Sequence, residues 1–175
     1  YYINPSVLFK ASDKTEIVLQ GDYLHDNWTP DFGTGIIGKT IAAIPRNTYL
    51  GATWSNGQTR QASVSGLAKH EFNDNWKLNF NSSFQNYERT SKGTERVQPA
   101  ANGAWSRPLG QNKNLEQIIG EQISLQGNFT TGKIKHQLFT GIDFENSFLQ
   151  AYTFTFSPNT YGNGNIFDFD NFNQG

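Results

Sequence analysis

The sequence contains no cysteine and no methionine, and none of its apolar runs approaches the roughly eighteen residues that a membrane-spanning helix needs. The absence of cysteine excludes a disulfide framework, a thiolate metal site and a cysteine nucleophile. A formal net charge of -1 predicts no nucleic-acid partner. A membrane protein built from strands remains possible, because alternating strands give a much weaker hydropathy signal than helices.

Glycine and aromatic residues are abundant instead. The 175 residues include 17 glycines, 14 phenylalanines, 7 tyrosines and 4 tryptophans, and only 35% of the chain is hydrophobic. Aromatic residues favour strands, whereas glycine, asparagine and serine favour turns and loops. The composition therefore predicts an all-β protein with polar connections.

Residues 132–146 carry the clearest strand pattern. Their even positions are mainly apolar and their odd positions mainly polar, which predicts a strand with one apolar face. The alternation lasts for about ten residues, close to the roughly nine to eleven that cross a bilayer at a tilt. The apolar series is Ile134, His136, Leu138, Thr140, Ile142 and Phe144.

The same alternation recurs five times, which predicts six strands. They pair through short turns at residues 12–14, 73–75 and 130–133, so three hairpins are expected. The alternating segments are residues 1–11, 15–26, 61–72, 76–85 and 119–129.

Long segments without a period separate the hairpins, at residues 27–57, at residues 89–114 and beyond Phe148. Short turns at one end of the strands and long loops at the other are typical of an antiparallel, up-and-down transmembrane β-barrel. A soluble β-sandwich is the alternative, although its connections do not sort by length. Because the smallest outer-membrane barrels have about eight strands, residues 1–175 are expected to be a partial barrel domain of a longer polypeptide.

Four stretches carry a recognisable pattern: residues 1–15 (YYINPSVLFKASDKT), 44–51 (IPRNTYLG), 70–76 (HEFNDNW) and 136–144 (HQLFTGIDF). They resemble stretches of TonB-dependent siderophore receptors, including those of the ferrichrome type, and they occur in the order found in that family. Ala11 stands where the family usually has proline.

The resemblance implies a barrel of about 22 strands in the bacterial outer membrane, closed by an N-terminal plug domain. Such receptors import ferric siderophores with energy from the inner-membrane TonB complex. The implied partners are a ferric siderophore, the TonB complex acting through a plug region that this sequence does not contain, and outer-membrane lipid. The siderophore is the transported ligand, and no cofactor is implied.

The long segments are where ligand-binding residues are expected, because rigid scaffolds carry specificity on their loops. A ferric siderophore already has its iron saturated, so aromatic surface and hydrogen-bond donors suit it better than metal ligands. The candidates are Phe32, Trp54, Trp105 and Arg107, and Arg107 can pair with an anionic chelate. The alternative for each is that it packs the loops together.

Other functions leave weaker signals. A porin-like channel, or a receptor for carbohydrate, haem or cobalamin, shares the alternation. No enzyme is expected, because no Gly-x-Ser-x-Gly or His-Glu-x-x-His motif is present and the three histidines are scattered. His136 is expected to pack rather than to bind metal. Asp168 and Asp170 offer oxygen ligands for Ca²⁺, but they lack the EF-hand pattern.

Overall fold

The computed structural model describes residues 1–168, which contain eight strands and no helix. No segment of this described part is a helix able to span a membrane. The all-β prediction is therefore confirmed. The strands are β1 (Tyr2–Ile3), β2 (Ser6–Ser12), β3 (Thr15–Trp28), β4 (Asn56–Asn73), β5 (Trp76–Thr94), β6 (Ala104–Thr131), β7 (Ile134–Tyr152) and β8 (Thr160–Asn165).

The strands form one sheet in the order β1-β3-β4-β5-β6-β7, in which β2 also pairs with β3 and β8 pairs with β6. From β3 to β7, neighbours in this order also follow one another along the chain, as in an up-and-down meander. The printed pairings of β1 and β2 with β3 are antiparallel, and apolar Val7 lies opposite Leu19. Lys10 lies opposite Glu16 and forms an ion pair with it at 3.7 Å. Apolar residues thus lie opposite apolar residues, and charged residues lie opposite residues of the other charge.

Three hairpins form, as predicted. Two residues join the strands of each one: Asp13 and Lys14, Asp74 and Asn75, and Gly132 and Lys133. In the second turn the side chain of Asn73 accepts hydrogen bonds from the backbone N–H groups of Asn75 and Trp76. Gly132 has a φ of 60°, a left-handed conformation that glycine adopts without a steric penalty.

The prediction of one unbroken first strand was wrong, because β1 ends at Ile3 and β2 begins at Ser6. Pro5 has no N–H group and cannot donate to the ladder. Its carbonyl still accepts a hydrogen bond from the N–H of Gly21 at 3.0 Å. The two pieces therefore follow the same partner strand on either side of the proline.

The irregular segments predicted at residues 89–114 and beyond Phe148 were also largely wrong. β5 continues to Thr94, β6 begins at Ala104, and β7 continues to Tyr152 before β8 follows. Alternation marks only strands with one apolar and one polar side, and these extensions carry polar or mixed residues on both sides. Hydrogen bonds such as Glu95 N–H to the carbonyl of Pro108, at 2.8 Å, keep the backbone paired without that pattern.

The chain divides into two compact units. The wall unit comprises Tyr1–His25, Arg60–Glu88 and Leu115–Gln150 and contains all three two-residue turns. The loop unit comprises Asp26–Thr59, Arg89–Asn114 and the described part of Ala151–Gly175. It contains the longer connections, at residues 29–55, 95–103 and 153–159.

Large apolar side chains of the wall unit are exposed rather than buried. Val7 is 61% exposed, Ile142 is 71% exposed and Phe129 is 43% exposed. Near the turns, the ring of Phe129 stacks on Trp76 at 6.3 Å and on His136 at 4.7 Å between centroids. His136 thus packs in a row of rings, as expected from the sequence.

Polar residues of the alternate series pair with one another in the wall unit. Glu71 forms ion pairs with Lys69 and Lys77 at 2.9 and 3.0 Å. Asp22 accepts hydrogen bonds from the side chains of Gln61 and Ser63. Lys69 and Glu71 share β4, whereas the Glu71–Lys77 pair joins β4 to β5 and the bonds of Asp22 join β3 to β4. Polar side chains therefore link neighbouring strands of the sheet.

Candidate ligand-binding site

The loop unit has its own small hydrophobic core. The pairing of β6 with β8 places Trp105 opposite Gly164, and Trp105 is only 6% exposed. Residues of the 29–55 connection pack against the same cluster. The buried members of the core are Ala42, Leu50, Val97, Trp105 and Ile166, and the partly buried Ile37 and Ile44 lie against them.

Arg107 is the most buried charged residue of this unit, with 1% of its surface exposed. Its Nη1 donates a hydrogen bond to the carbonyl of Gly51 at 3.2 Å. Its guanidinium lies over the rings of Trp105 and Tyr161, 5.0 and 5.4 Å from their centroids. A planar cation between aromatic rings is favourable, because the rings supply negative electrostatic potential where water has been removed.

Burial lowers the pKa of Arg107 from its usual range, and the neighbouring hydroxyls of Tyr161 and Tyr49 oppose that shift. Burial in turn raises the pKa of Tyr49. The Tyr49 hydroxyl donates to the carbonyl of Ala52 at 2.8 Å. Since arginine remains protonated even with a lowered pKa, Arg107 is a fixed positive charge inside the loop unit.

The structure brings three of the four predicted residues together. Trp54 meets Tyr161 edge-on, with ring centroids 5.3 Å apart and an angle of 84°. Tyr161 therefore links Trp54 to the guanidinium of Arg107, which also contacts Trp105. Trp54 is half-buried, whereas Trp105 and Arg107 are buried.

Phe32 is the fourth predicted residue, and it lies apart from these three. Within residues 1–168 it makes no ring contact with them, and its side chain is 42% exposed. The turn that carries it is well fixed, since Asp31 accepts a hydrogen bond from Gly33 N–H. Two further backbone hydrogen bonds join Gly33 and Gly35 to Val97. Phe32 is thus an exposed aromatic ring on an anchored turn.

The sequence did not predict a role for Tyr161 or Tyr49. Both lie in segments that lack a regular alternation of apolar and polar residues, so the sequence pattern did not identify them as partners of Arg107. The run Tyr161-Gly-Asn-Gly-Asn contains an aromatic residue followed by turn residues, a signal that favours a loop but says nothing about its contacts.

A shallow open depression adjoins Trp105 within the loop unit. Its volume is about 650 Å³, and its lining mixes apolar rings with amide and hydroxyl groups. The lining includes Gln98, Pro99, Ala104, Trp105, Ser106 and Asn163. Such a surface can accommodate an oxygen-rich organic ligand through stacking and hydrogen bonds.

The described part of the chain contains no cluster of three or more His, Cys, Asp or Glu side chains that could bind a metal ion. Asp168 is described, but Asp170 lies outside the described residues, so the Ca²⁺ alternative stays a sequence-based prediction.

Comparison with family models gives no match. Among curated proteins, the metal-pseudopaline receptor CntO of Pseudomonas aeruginosa is 24% identical over 149 residues, which are 82% of this chain and 20% of CntO. The chain thus spans about a fifth of the length of this relative.

Two solved structures have closely similar folds. The ferric preacinetobactin receptor BauA of Acinetobacter baumannii matches with a TM-score of 0.83 and 18% identity, over 99% of this chain and 26% of BauA. The ferric-catecholate import receptor Fiu of E. coli K12, in its open form, matches with a TM-score of 0.80 and 20% identity, over 95% of this chain and 29% of Fiu. The resemblance to TonB-dependent siderophore receptors is thus confirmed for the fold, and the chain has the fold of a segment of that antiparallel β-barrel.

Proposed function

We propose that residues 1–175 are part of the barrel domain of an outer-membrane TonB-dependent receptor that binds and imports a ferric siderophore. The observation that carries the proposal is the match of nearly the whole chain to the fold of BauA and Fiu, at TM-scores of 0.83 and 0.80. These proteins are a ferric preacinetobactin receptor and a ferric-catecholate import receptor. The proposed function is ligand binding and transport by a receptor, not catalysis by an enzyme.

The wall unit supports an outer-membrane location. Its apolar side chains, such as Val7 and Ile142, are more than half exposed. Exposed apolar side chains are unfavourable in water but favourable against the hydrocarbon of a membrane. The row of Trp76, Phe129 and His136 near the turns fits the aromatic girdle at a membrane interface. In this arrangement the polar series faces the lumen, where the plug domain lies in this family.

The loop unit supports recognition of a chelate rather than of a bare metal ion. Trp54 and Phe32 offer partly exposed rings, and the depression beside Trp105 offers amide and hydroxyl groups. Trp105 and Arg107 are buried, so we propose that they hold this surface in shape while Phe32 and Trp54 contact the ligand.

A second candidate is the uptake of a chelate of another metal. It is favoured by the sequence match to CntO, which is named as a metal-pseudopaline receptor. The barrel and the loop chemistry are compatible with both, because the chelator presents its own organic surface to the receptor.

The test is growth and radioactive-iron uptake in the parent cell, with the intact gene, with the gene deleted, and with the gene intact but TonB absent. A panel of ferric siderophores is supplied as the sole iron source. The proposal expects one siderophore whose uptake is lost in both mutants. Unchanged iron uptake on every chelate, together with lost uptake of a zinc, nickel or cobalt chelate, would favour the second candidate and overturn the first.

A further inference from the structure

Charge is distributed unevenly between the two units. The described part of the loop unit has seven basic residues against four acidic ones, and Asp170 adds only one more carboxylate from the sequence. The wall unit has seven basic residues against ten acidic ones. The basic residues of the loop unit are Lys39, Arg46, Arg89, Lys92, Arg96, Arg107 and Lys113.

Within residues 1–168, Arg89 is the one exposed arginine of the loop unit whose guanidinium lies over an aromatic ring. Its guanidinium lies 4.6 Å from the centroid of the Trp28 ring. No described carboxylate forms an ion pair with Arg89, and no described residue accepts a hydrogen bond from it. The stacking contact uses the face of the guanidinium and leaves its N–H donors available for a bidentate acceptor.

Gly57 makes this arrangement possible. A Cβ atom at Gly57 would lie 2.4 Å from the indole of Trp28, closer than any ordinary contact, so only glycine lets the ring lie there. Gly57 is buried, Trp28 is half-buried and Arg89 is exposed. We call these three residues the Trp28–Arg89 platform.

The platform belongs to the polar series of its strands. Trp28 follows the even residues of β3, which include Asp22, and Arg89 follows the odd residues of β5, which include Lys77. In a closed barrel that series lines the lumen, so the platform is on the side that a transported ligand passes.

We infer that the Trp28–Arg89 platform is a contact site for anionic oxygen atoms of the ligand, so that the chelate taken up carries net negative charge. The inference rests on the proposed function and adds the charge class of the chelate. Carboxylate or catecholate oxygens are the acceptors that suit a pre-oriented guanidinium. The excess of basic residues in the loop unit adds long-range attraction for the same class of ligand.

The experiment uses the purified full-length receptor and two probes, a triply negative ferric tris-catecholate and a neutral ferric tris-hydroxamate. Affinities are measured by calorimetry at low and high salt. Arg89→Gln is expected to weaken binding of the tris-catecholate by about tenfold at low salt, because one charge-assisted hydrogen-bonding group is lost. Binding of any neutral chelate should change by less than about twofold.

Two further variants separate ligand contact from structural support. Gly57→Val displaces the Trp28 ring while leaving Arg89 in place, and should give the same charge-selective loss. Lys113→Gln is the matched control: Lys113 also lies over a ring, that of Tyr152 at 5.0 Å, but it belongs to the apolar series of β6. Because Lys113 adds only to the long-range attraction, its replacement should leave the affinity for the neutral chelate unchanged and lower the affinity for the tris-catecholate by less than about twofold.

The outcomes are distinct. An unchanged affinity for the tris-catecholate in Arg89→Gln overturns the inference, as does an equal loss for both probes or an equal effect of Lys113→Gln. Wild-type receptor that binds only the neutral chelate overturns the inference and leaves the proposed function standing. Wild-type receptor that binds no ferric chelate at all overturns both.

Discussion

Arg107 illustrates how one side chain organises a loop region. It is buried, its guanidinium lies over the rings of Trp105 and Tyr161, and it donates to the carbonyl of Gly51, so it connects β6, β8 and the 29–55 connection. Lysine cannot replace it, because a compact ammonium lacks the planar face that stacks on Trp105 and Tyr161.

Replacing Arg107 by leucine should therefore loosen the loop unit. We expect a loss of about 1–3 kcal/mol in local stability, from one charge-assisted hydrogen bond and the stacking contacts. Hydrogen exchange measures it at two amides, Leu109 N–H, which donates to Asn159, and Ile166 N–H, which donates to Gly103. Both should exchange faster in the variant.

Arg96→Leu makes the same chemical change at an exposed arginine and should leave the exchange rates as they are. If Arg107→Leu instead reduced ligand affinity with unchanged amide protection, Arg107 would be a ligand contact, as the sequence first indicated, rather than a support.

Gly127 is a second residue whose small size matters. A Cβ atom there would lie 2.3 Å from the ring of Trp76, which belongs to the row of rings near the turns. Gly127→Ala should lower the free energy of unfolding by about 1–3 kcal/mol, because Trp76 must move off its position. Urea unfolding of the full-length protein in lipid vesicles, followed by tryptophan fluorescence, measures this.

The matched control is Gly66→Ala, also on the apolar series. Its added Cβ would meet Leu19 at 3.4 Å, an ordinary contact. A destabilisation of equal size at both glycines would mean that strand glycine itself, and not the Trp76 contact, sets the cost.

Among the elements, β4 to β7 show what alternation can and cannot predict. The three hairpins and the apolar series were predictable, because a strand with one apolar and one polar face alternates in polarity residue by residue. The extensions of β5, β6 and β7 were not predictable from alternation. They are stabilised by backbone hydrogen bonds, which form whatever the order of apolar and polar residues.

The apolar series of β7 can be tested by adjacent substitutions. Leu138→Arg should destabilise the assembled barrel by about 2–4 kcal/mol if this series faces the bilayer midplane. Gln137→Arg, one residue away in the polar series, should have little effect. Heat-modifiable migration and urea unfolding in vesicles measure both variants, and similar results for the two would contradict the assignment of faces.

For the whole molecule, the sequence predicted the fold class more completely than the site. Repetition of one pattern in six segments made the sheet predictable. In the site, Phe32, Trp54, Trp105 and Arg107 were chosen by residue type, and only the folded loops reveal that Trp105 and Arg107 are buried while Phe32 is exposed. Burial in a region without a period depends on contacts between distant segments, such as Arg107 with Gly51.

The sheet order also has a consequence for assembly. Its path runs from β1 to β7, and no pairing between the two ends occurs in the described residues. Residues 1–175 alone, refolded in detergent, should therefore give no compact species that resists sodium dodecyl sulfate, because unpaired strand edges are costly in hydrocarbon. The full-length protein should give one. A resistant species from residues 1–175 would indicate closure by association of copies, and cross-linking would count them.

The anchoring of the 29–55 connection separates residues that hold the loop from residues that face outward. Leu50 and Ala52 are buried, and Asp31 bonds to the backbone, whereas Ile36 and Ile41 are 58% and 86% exposed. Exposed positions of this kind can be exchanged at little cost to the core of their own unit. Under the proposed function this segment lies at the cell surface, and its exposed positions could then change under selection by antibodies or phages while the buried residues keep the same conformation.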